Sequence, residues 1–269
     1  HAQIRHKELT MNDCHISSFA RSAELMADAA GKLIREAAKH PLETEIKSDG
    51  SPVTDVDKAT EDCIRAIIAE RHPSHGIIGE EHEPLFPDAE LVWVIDPIDG
   101  TLPFLAGIPV FGTLIALMQG NRPVLGIIDM PMTGERWVGQ RGKQTLRNGK
   151  PVRTRACNDL SMALMSTSNQ DFYGPEDIDV LTRMKAATRL AVYGGSCMSY
   201  AQLATGRIDV GFDVRFGIHD YLALVTVIEG AGGVISAWSG EPLGLHSGDR
   251  LVAAGDPRVH EQALRIIAG

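Results

Sequence analysis

The first third of the chain places apolar residues at helical spacing. Over residues 16–37 they recur at steps of three and four, which predicts an amphipathic helix. A polar loop over residues 47–53 contains Gly and Pro, and a second helix is predicted to begin near Asp57 and to end at Pro73. The buried stripe of this second helix is formed by Cys63, Ile64, Ile67 and Ile68.

The middle of the chain changes to short apolar or alternating runs between turn residues, which predict strands. These runs cover residues 91–95, 110–118, 123–130 and 135–139. The pair Asn148-Gly149 is a strong signal for a β-hairpin. This part of the chain is therefore expected to form antiparallel strands.

The second half alternates between strand and helix patterns. The predicted strands are residues 162–166, 189–193, 208–214, 233–237 and 251–254. The predicted helices are residues 175–186, 199–205, 221–229 and 257–268. An antiparallel half followed by an alternating half predicts an α/β (α+β) fold of layered helices and sheets.

The length of 269 residues exceeds the ~100–150 that are usual for one domain. We expect one folded unit over residues 11–269, with two lobes at about 11–150 and 151–269 and no linker between them. Residues 1–10 are polar and show no pattern, so we expect an added tag there, with a native extension as the alternative.

Charge and composition exclude some classes of function. A net charge of -9 argues against nucleic-acid binding, which needs a basic face. No apolar run approaches the ~20 residues of a membrane-spanning helix. The four cysteines lack metal-site or disulfide-scaffold spacing, so we expect free thiols and a cytoplasmic location.

One cluster of acids follows an apolar strand directly. Asp96 and Asp99 are separated by Pro97 and Ile98, and Pro97 is predicted to end the strand. Both carboxylates should then project from the carboxyl end of a strand, where open α/β sheets place their ligand sites. The alternative is an ordinary turn, since Asp and Gly are common in turns.

Other acids occupy the ends of predicted elements. Glu80 and Glu81 follow a short apolar strand, where adjacent acids repel unless a cation lies between them. A solvated acidic loop explains the same pair equally well. Asp55, Asp57 and Asp220 lie at helix starts, where an Asp is often only a cap. We favour the cap for Asp55, a metal site for Asp57, and a wall or core position for His219.

Together these residues form a candidate cation site. Carboxylate and carbonyl oxygens suit hard cations, above all Mg²⁺. Two or three such ions can bind a phosphate and activate a water molecule. The candidate ligands are Asp57, Glu80, Asp96, Asp99, Asp220 and the carbonyl of Ile98.

Residues 96–101, Asp-Pro-Ile-Asp-Gly-Thr, resemble the signature of the inositol monophosphatase family. Residues 79–81, Asp220 and residues 230–233 resemble the same family at compatible spacings, so the resemblance runs from about residue 16 onward. It implies the α-β-α-β-α sandwich of the inositol monophosphatase and fructose-1,6-bisphosphatase type. It also implies Mg²⁺-dependent hydrolysis of a small phosphorylated metabolite, and by analogy a homodimer.

The resemblance also implies a role for each acid. One Mg²⁺ would be held by Glu80, Asp96, Asp99 and the Ile98 carbonyl, a second by Asp96, Asp99 and Asp220, and a third, weaker one by Glu80 and Asp57. Asp57, Glu80 and Thr101 would be catalytic, with Thr101 hydrogen-bonded to Asp57 so that it orients the attacking water. The backbone N–H groups of Gly100 and Thr101 would bind the phosphate, and Lys47 would lie in a mobile loop that closes over the site.

Substrate binding is implied for Gly194, Gly195, Ser196 and Asp213. Several segments resemble the histidinol-phosphate phosphatase branch: residues 193–197, 220–225 and 238–240. That branch usually has an Asp where this chain has Ser196, so the ammonium of histidinol phosphate would need another partner, such as Asp213.

Inositol monophosphate, or a similar polyol phosphate, is the alternative substrate. Inositol-type relatives usually carry Trp-Asp at the position of His219-Asp220, which fits this chain less well. Two further departures are Leu102 and Pro103, where relatives often have polar residues, and Asp213, where many have Glu.

Two other functional classes remain open at this point. A bisphosphate nucleotidase would need a basic subsite, and only Arg215 lies near Asp213 and Asp220 in the sequence. A non-catalytic regulatory protein on the same fold is the other, although the complete set of acids argues against it.

Overall fold

A computed structural model describes residues 13–47, 50 and 52–269. The tag or extension expected at residues 1–10 lies outside the described residues. The described α-helices are α1 (Asp13–Ala37), α2 (Asp55–Arg71), α3 (Thr101–Ala106), α4 (Ile178–Ala187), α5 (Ser196–Ala204), α6 (Ile218–Gly230) and α7 (Pro257–Ala268). Short 3₁₀ helices lie at Leu160–Met162 and Gln170–Phe172.

The strands form a ribbon and two sheets. The ribbon and the larger sheet contain β1 (Thr44–Ile46), β2 (Pro52–Thr54), β3 (Gly76–Gly79), β4 (Leu91–Asp99), β5 (Gly112–Gln119), β6 (Arg122–Met130), β7 (Glu135–Gln140), β8 (Leu146–Arg147) and β9 (Lys150–Pro151). The smaller sheet contains β10 (Leu164–Thr167), β11 (Leu190–Tyr193), β12 (Val210–Asp213), β13 (Val234–Ala237) and β14 (Leu251–Ala254).

Strand order defines the two sheets. The larger one runs β3-β4-β5-β6-β7-β8-β9, and the smaller one runs β11-β10-β12-β14-β13. In the larger sheet only β3 and β4 are parallel, and the remaining neighbours are antiparallel. The carboxyl ends of β3 and β4 therefore lie at the same edge, which brings the acids that follow β3 close to those that end β4.

Helices and sheets stack in five layers. Helices α1 and α2 cover one face of the larger sheet, and α5 and α6 lie between the two sheets. Helices α4 and α7 cover the far face of the smaller sheet. Each space between layers is filled by its own cluster of buried apolar side chains. The expected α-β-α-β-α order is confirmed.

Strand β4 continues further than the sequence predicted. The prediction ended it at Ile95 because Pro97 lacks an N–H, but the strand runs to Asp99. The register shifts between Asp96 and Asp99, and such an irregularity is where a sheet tolerates proline. Thr113 Oγ1 donates to the carbonyl of Pro97 at 2.9 Å and holds this segment against β5.

Helix starts differ from the predictions by a few residues. Helix α2 begins at Asp55, and its N-cap is Thr54 rather than Asp55. Helix α5 begins at Ser196, three residues before the predicted start at Ser199. The structure also contains α3 and the β1–β2 ribbon, where the sequence predicted no helix or strand.

The hairpin at Asn148-Gly149 is confirmed. The two residues join β8 to β9 with φ angles of 46° and 74°, the left-handed conformations that a tight two-residue hairpin requires. None of the helices in the described part of the chain has an apolar stretch long enough for a bilayer.

Candidate active site

Asp96 and Asp99 lie at the carboxyl end of β4, as predicted. Asp96 is buried, with 1% of its surface exposed, and Asp99 is half-buried one irregular step further along. The chain then turns at Gly100, whose φ of 88° favours glycine, and enters α3 at Thr101.

Asp220 reaches the same place from helix α6, which lies between the two sheets. It is the third residue of α6, and its Oδ2 accepts the N–H of Gly217 at 2.5 Å, so it caps the helix. The capping interpretation is therefore confirmed for this residue, and its role as a metal ligand stays a prediction. His219 is partly buried, with Nε2 3.7 Å from Asp220 Oδ2, and burial lowers the pKa of its ring. That distance is too long for a hydrogen bond, and the wall or core position of His219 stays a prediction.

The three aspartates form one cluster. Asp96, Asp99 and Asp220 each offer a carboxylate oxygen, and these oxygens all lie within 4.8 Å of one another. Asp96 Oδ1 is buried and has no hydrogen-bond partner among the described residues. A buried carboxylate oxygen without a donor is costly unless a cation binds it. The residues therefore fit a hard divalent ion such as Mg²⁺.

The electrostatics of the cluster point the same way. Burial raises the pKa of Asp99 and of Asp220 to about 7, and neighbouring carboxylates add to the effect. Burial, followed by the charges of Glu80, Asp99, Asp220 and Asp57, raises the pKa of Asp96 well above its usual value. Without a cation, these carboxylates hold protons that ordinary aspartates lose near pH 4.

Glu80 lies just beyond β3 and faces Lys47. The Lys47 ammonium is 3.0 Å from Glu80 Oε1 and 2.7 Å from Glu81 Oε1. Burial disfavours the charged ammonium, but the hydrogen bonds and charges of the two glutamates outweigh it and raise the pKa of Lys47. The cation that adjacent acids require is here supplied by the chain itself. The side chain of Glu81 is only 4% exposed, so the interpretation as a solvated acidic loop is wrong for it.

Asp57 is buried at the third position of α2, and its Oδ2 accepts the N–H of Thr54 at 2.8 Å and the hydroxyl of Thr54 at 2.5 Å. The predicted hydrogen bond between Thr101 and Asp57 is not formed. Thr101 Oγ1 donates instead to the carbonyl of Ile98 at 3.4 Å. Asp57 instead completes the capping box of α2 with Thr54, the N-cap three residues earlier.

Helix α5 closes the site opposite β4. The backbone N–H of Cys197 donates to Asp99 Oδ2 at 2.6 Å. Ser196 has a φ of 45°, which is unusual for a residue other than glycine, and strained residues of this kind cluster at functional sites. A Cβ placed on Gly100 would lie 2.7 Å from Ser196 Oγ, so the hydroxyl packs against the predicted phosphate-binding turn. Gly194 and Gly195 lead into this start, with Gly195 as the N-cap.

Asp213 does not line an open pocket. It is 1% exposed, and its two oxygens accept hydrogen bonds from Thr167, Ser168 and Tyr200. Burial raises the pKa of Asp213 to about 6, against the effect of these donors. The structure thus offers no free Asp213 carboxylate for a substrate hydroxyl or ammonium, in contrast to the prediction.

Two residues that the sequence reasoning missed hold the acidic loop. Glu61 is fully buried on α2, and its Oε2 accepts the N–H of Glu81 at 2.7 Å. Its Oε1 pairs with Arg65 at 2.7 Å, and Arg65 donates to the carbonyls of His82 and Glu83. Asp57, Glu61 and Arg65 are spaced by four, so helical spacing was the signal available in the sequence. The N–H of Cys197 had no such signal.

The sequence profile of the inositol monophosphatase family matches residues 15–268. The chain belongs to the inositol monophosphatase family. As a member, it is a phosphatase of the phosphomonoester hydrolase type, and its family is metal-dependent.

Curated relatives in this family carry different names. The chloroplastic bifunctional phosphatase IMPL2 of Arabidopsis thaliana is 39% identical over 263 residues, covering 94% of this chain and 76% of the relative. A histidinol-phosphatase of Chlorobaculum parvum is 31% identical, covering 85% of this chain and 89% of its own length. The solved inositol monophosphatase of Zymomonas mobilis has a TM-score of 0.87 and 38% identity, covering 94% of this chain and 98% of that chain.

Proposed function

We propose that this member of the inositol monophosphatase family hydrolyses histidinol phosphate to histidinol and phosphate, with Mg²⁺ as its cofactor. The observation that supports phosphate-ester chemistry best is the cluster of Asp96, Asp99 and Asp220, in which Oδ1 of Asp96 has no hydrogen-bond partner among the residues that the structure describes. Such a cluster is unfavourable by itself and becomes favourable when it binds a cation.

The same residues would hold the metal. Asp96, Asp99 and Asp220 would bind the ions, and Glu80 and the Ile98 carbonyl would complete the set of ligands. Asp57, on α2, would serve a third, weaker ion. The chemistry that bound Mg²⁺ supplies is neutralisation of phosphate charge, together with a lowered pKa for a bound water molecule.

The chain's own groups would bind and orient the ester. The N–H groups of Gly100 and Thr101 would donate to phosphoryl oxygens at the turn that follows β4. The Ser196 hydroxyl, packed against Gly100, would face the leaving alcohol. Glu80, whose Oε1 accepts a hydrogen bond from Lys47 at 3.0 Å, would be the group that accepts the proton of the attacking water.

Histidinol phosphate is supported by the histidinol-phosphatase of Chlorobaculum parvum among the relatives and by the sequence around residues 193–197. Inositol monophosphate is the second candidate, and one observation favours it. Asp213 is occupied by its own neighbours, so no free carboxylate at this position meets an ammonium, whereas a neutral polyol needs none. Histidinol phosphate would therefore need a carboxylate from another position, such as 196, whereas inositol monophosphate would not.

A substrate panel tests the proposal. Phosphate release is measured with Mg²⁺ for histidinol phosphate, inositol 1-phosphate, a bisphosphate nucleotide and fructose 1,6-bisphosphate. We expect the highest kcat/KM with histidinol phosphate. A higher value with inositol 1-phosphate would replace the first candidate with the second.

Position 196 offers a matched pair of variants. Asp and Asn both tolerate the left-handed backbone that Ser196 adopts. We expect Ser196→Asp, but not Ser196→Asn, to raise kcat/KM for histidinol phosphate, because only Asp supplies a charge for the ammonium. Equal values for the two variants would count against an ammonium-bearing substrate.

We also propose that the chain acts as a homodimer, by analogy with the family. Light scattering of the purified protein would then give twice the chain mass of 29.1 kDa. A mass of one chain at assay concentration would contradict this.

A further inference from the structure

Asp213 joins three elements of the fold below the candidate site. Its Oδ1 accepts the hydroxyl of Thr167 at 2.8 Å and the N–H of Ser168 at 2.7 Å, at the end of β10. Its Oδ2 accepts the hydroxyl of Tyr200, on α5, at 2.6 Å. The carboxylate itself ends β12, so it connects two parallel strands to one helix.

Helix α5 is also connected to the metal cluster. Three residues before Tyr200, the N–H of Cys197 donates to Asp99 Oδ2 at 2.6 Å. Tyr200 itself is 1% exposed, and its ring packs against Phe216, with the ring centroids 6.1 Å apart. The hydrogen bond from the Tyr200 hydroxyl to Asp213 therefore holds the first turn of α5 in position, and this turn carries the N–H of Cys197.

We propose that Asp213 is a positioning residue for the metal ligand Asp99, acting through Tyr200 and the first turn of α5, and not a substrate-binding residue. The inference rests on the proposed function only in taking Asp99 as a metal ligand. A hydrogen bond to a ligating carboxylate sets the direction of its free oxygen, and such outer contacts tune metal affinity.

A carboxylate is required at position 213 because all of its described partners there are donors. Thr167 and Tyr200 donate hydroxyl hydrogens, and Ser168 donates its N–H and, at 3.3 Å, its hydroxyl. An amide would turn one acceptor oxygen into a donor and leave a buried donor unpaired. Asp213→Asn therefore risks unfolding, and Tyr200→Phe is the milder primary variant.

Tyr173→Phe is the matched control. The Tyr173 hydroxyl lies in the same buried network, 2.8 Å from Thr167 Oγ1, and it donates to the carbonyl of Phe212 at 3.1 Å. Tyr173 is not part of α5. A general loss of stability in the network would appear in both variants, whereas loss of the connection to Asp99 would appear only in Tyr200→Phe.

The experiment combines two measurements on the whole chain. Hydrogen exchange of the Cys197 amide, followed in chelator, reports the contact with Asp99 without any metal. Titration calorimetry with Mg²⁺ then reports metal affinity without any substrate. We expect faster Cys197 exchange and an Mg²⁺ Kd about tenfold higher in Tyr200→Phe, with both quantities at wild-type values in Tyr173→Phe.

Kinetics with the preferred panel substrate separates the two possible roles of Asp213. Positioning predicts a lower kcat for Tyr200→Phe with KM changed by less than about twofold. A raised KM with unchanged Mg²⁺ affinity would assign Asp213 to substrate binding and overturn the proposal. Unchanged Cys197 exchange in Tyr200→Phe would also overturn it.

If the wild-type chain binds no Mg²⁺, the proposed function and the assignment of Asp99 as a ligand both fail, while altered exchange still establishes the connection through α5.

Discussion

The Oε2 atom of Glu61 accepts the backbone N–H of Glu81 across 2.7 Å, which anchors the acidic loop to α2. The contact is close enough that Gly79 must be glycine, because a Cβ there would collide with the Glu61 carboxylate. Asp57 lies one helical turn before Glu61. One helix thus carries one candidate ligand and sets the position of another, Glu80.

Glu61→Gln tests this anchor. The change removes the charge that pairs with Arg65 and weakens the acceptor for the Glu81 N–H. We expect the Mg²⁺ Kd from calorimetry to rise about tenfold, and the free energy of unfolding to fall by about 1–3 kcal/mol. Glu70→Gln, an exposed change on the same helix, is the control and should alter neither quantity. Wild-type Mg²⁺ affinity in Glu61→Gln would show that the loop needs no anchor.

Asp99→Asn tests the carboxylate cluster. We expect kcat to drop by orders of magnitude, because one candidate ligand shared by two ions is lost. The metal-free protein should keep or gain thermal stability, since one of several mutually repelling buried acids is removed. Asp62→Asn, on the exposed side of α2, is the control for activity. A near-normal kcat in Asp99→Asn would mean that the site lies elsewhere.

The metal-free protein should become less stable as the pH rises from 5 to 8. Asp99 and Asp220 have pKa values raised to about 7, so the folded state binds more protons than the unfolded chain between about pH 4 and pH 7. Stability from such groups is present at low pH and is lost as the pH rises, by about 2–3 kcal/mol for one group with this shift. Denaturant unfolding in chelator measures the slope.

Mg²⁺ should reverse this dependence. At pH 8 the cluster is ionised, and a bound cation replaces the lost protons, so added Mg²⁺ should raise Tm more at pH 8 than at pH 5. Asp99→Asn should flatten the slope in chelator. A stability of the metal-free protein that increases toward pH 8 would contradict the assigned direction of these shifts.

We expect a separate local change in acid at the hydrogen bond between Trp93 and His75. Trp93 Nε1 donates to His75 Nδ1 at 3.1 Å, which requires a neutral ring, and burial lowers the pKa of His75 to about 4. The folded state therefore binds fewer protons than the unfolded chain between about pH 6.5 and pH 4, and this contribution is lost as the pH falls. Because the aspartates act in the opposite direction there, Trp93 fluorescence is the better measurement.

We expect the fluorescence of Trp93 to change with a midpoint near pH 4, and His75→Gln to remove that change. Gln keeps an acceptor for the indole N–H but does not titrate. A midpoint near pH 6.5 would show that His75 is solvated as in a free peptide.

Elements whose signal is local were predicted well. Strand β14 and helix α7 have the predicted bounds, and α1 ends at Ala37 as expected, since periodicity and caps depend on neighbouring residues. The continuation of β4 through Pro97 was not predicted, because the missing N–H matters only relative to the partner strand β5. The short α3 has no periodic pattern of its own.

The sequence by itself identified three acids that the fold brings close together. Asp96 and Asp99 lie in the last four residues of β4 and Asp220 lies in the first turn of α6, and the order of elements brings these segments together. The tertiary structure decided which carboxylates remain available. Asp213 is enclosed by donors 13 to 46 residues away, and Asp99 receives an N–H from a residue 98 positions later. Burial and hydrogen-bond partners at such separations depend on packing between layers, which no local pattern encodes.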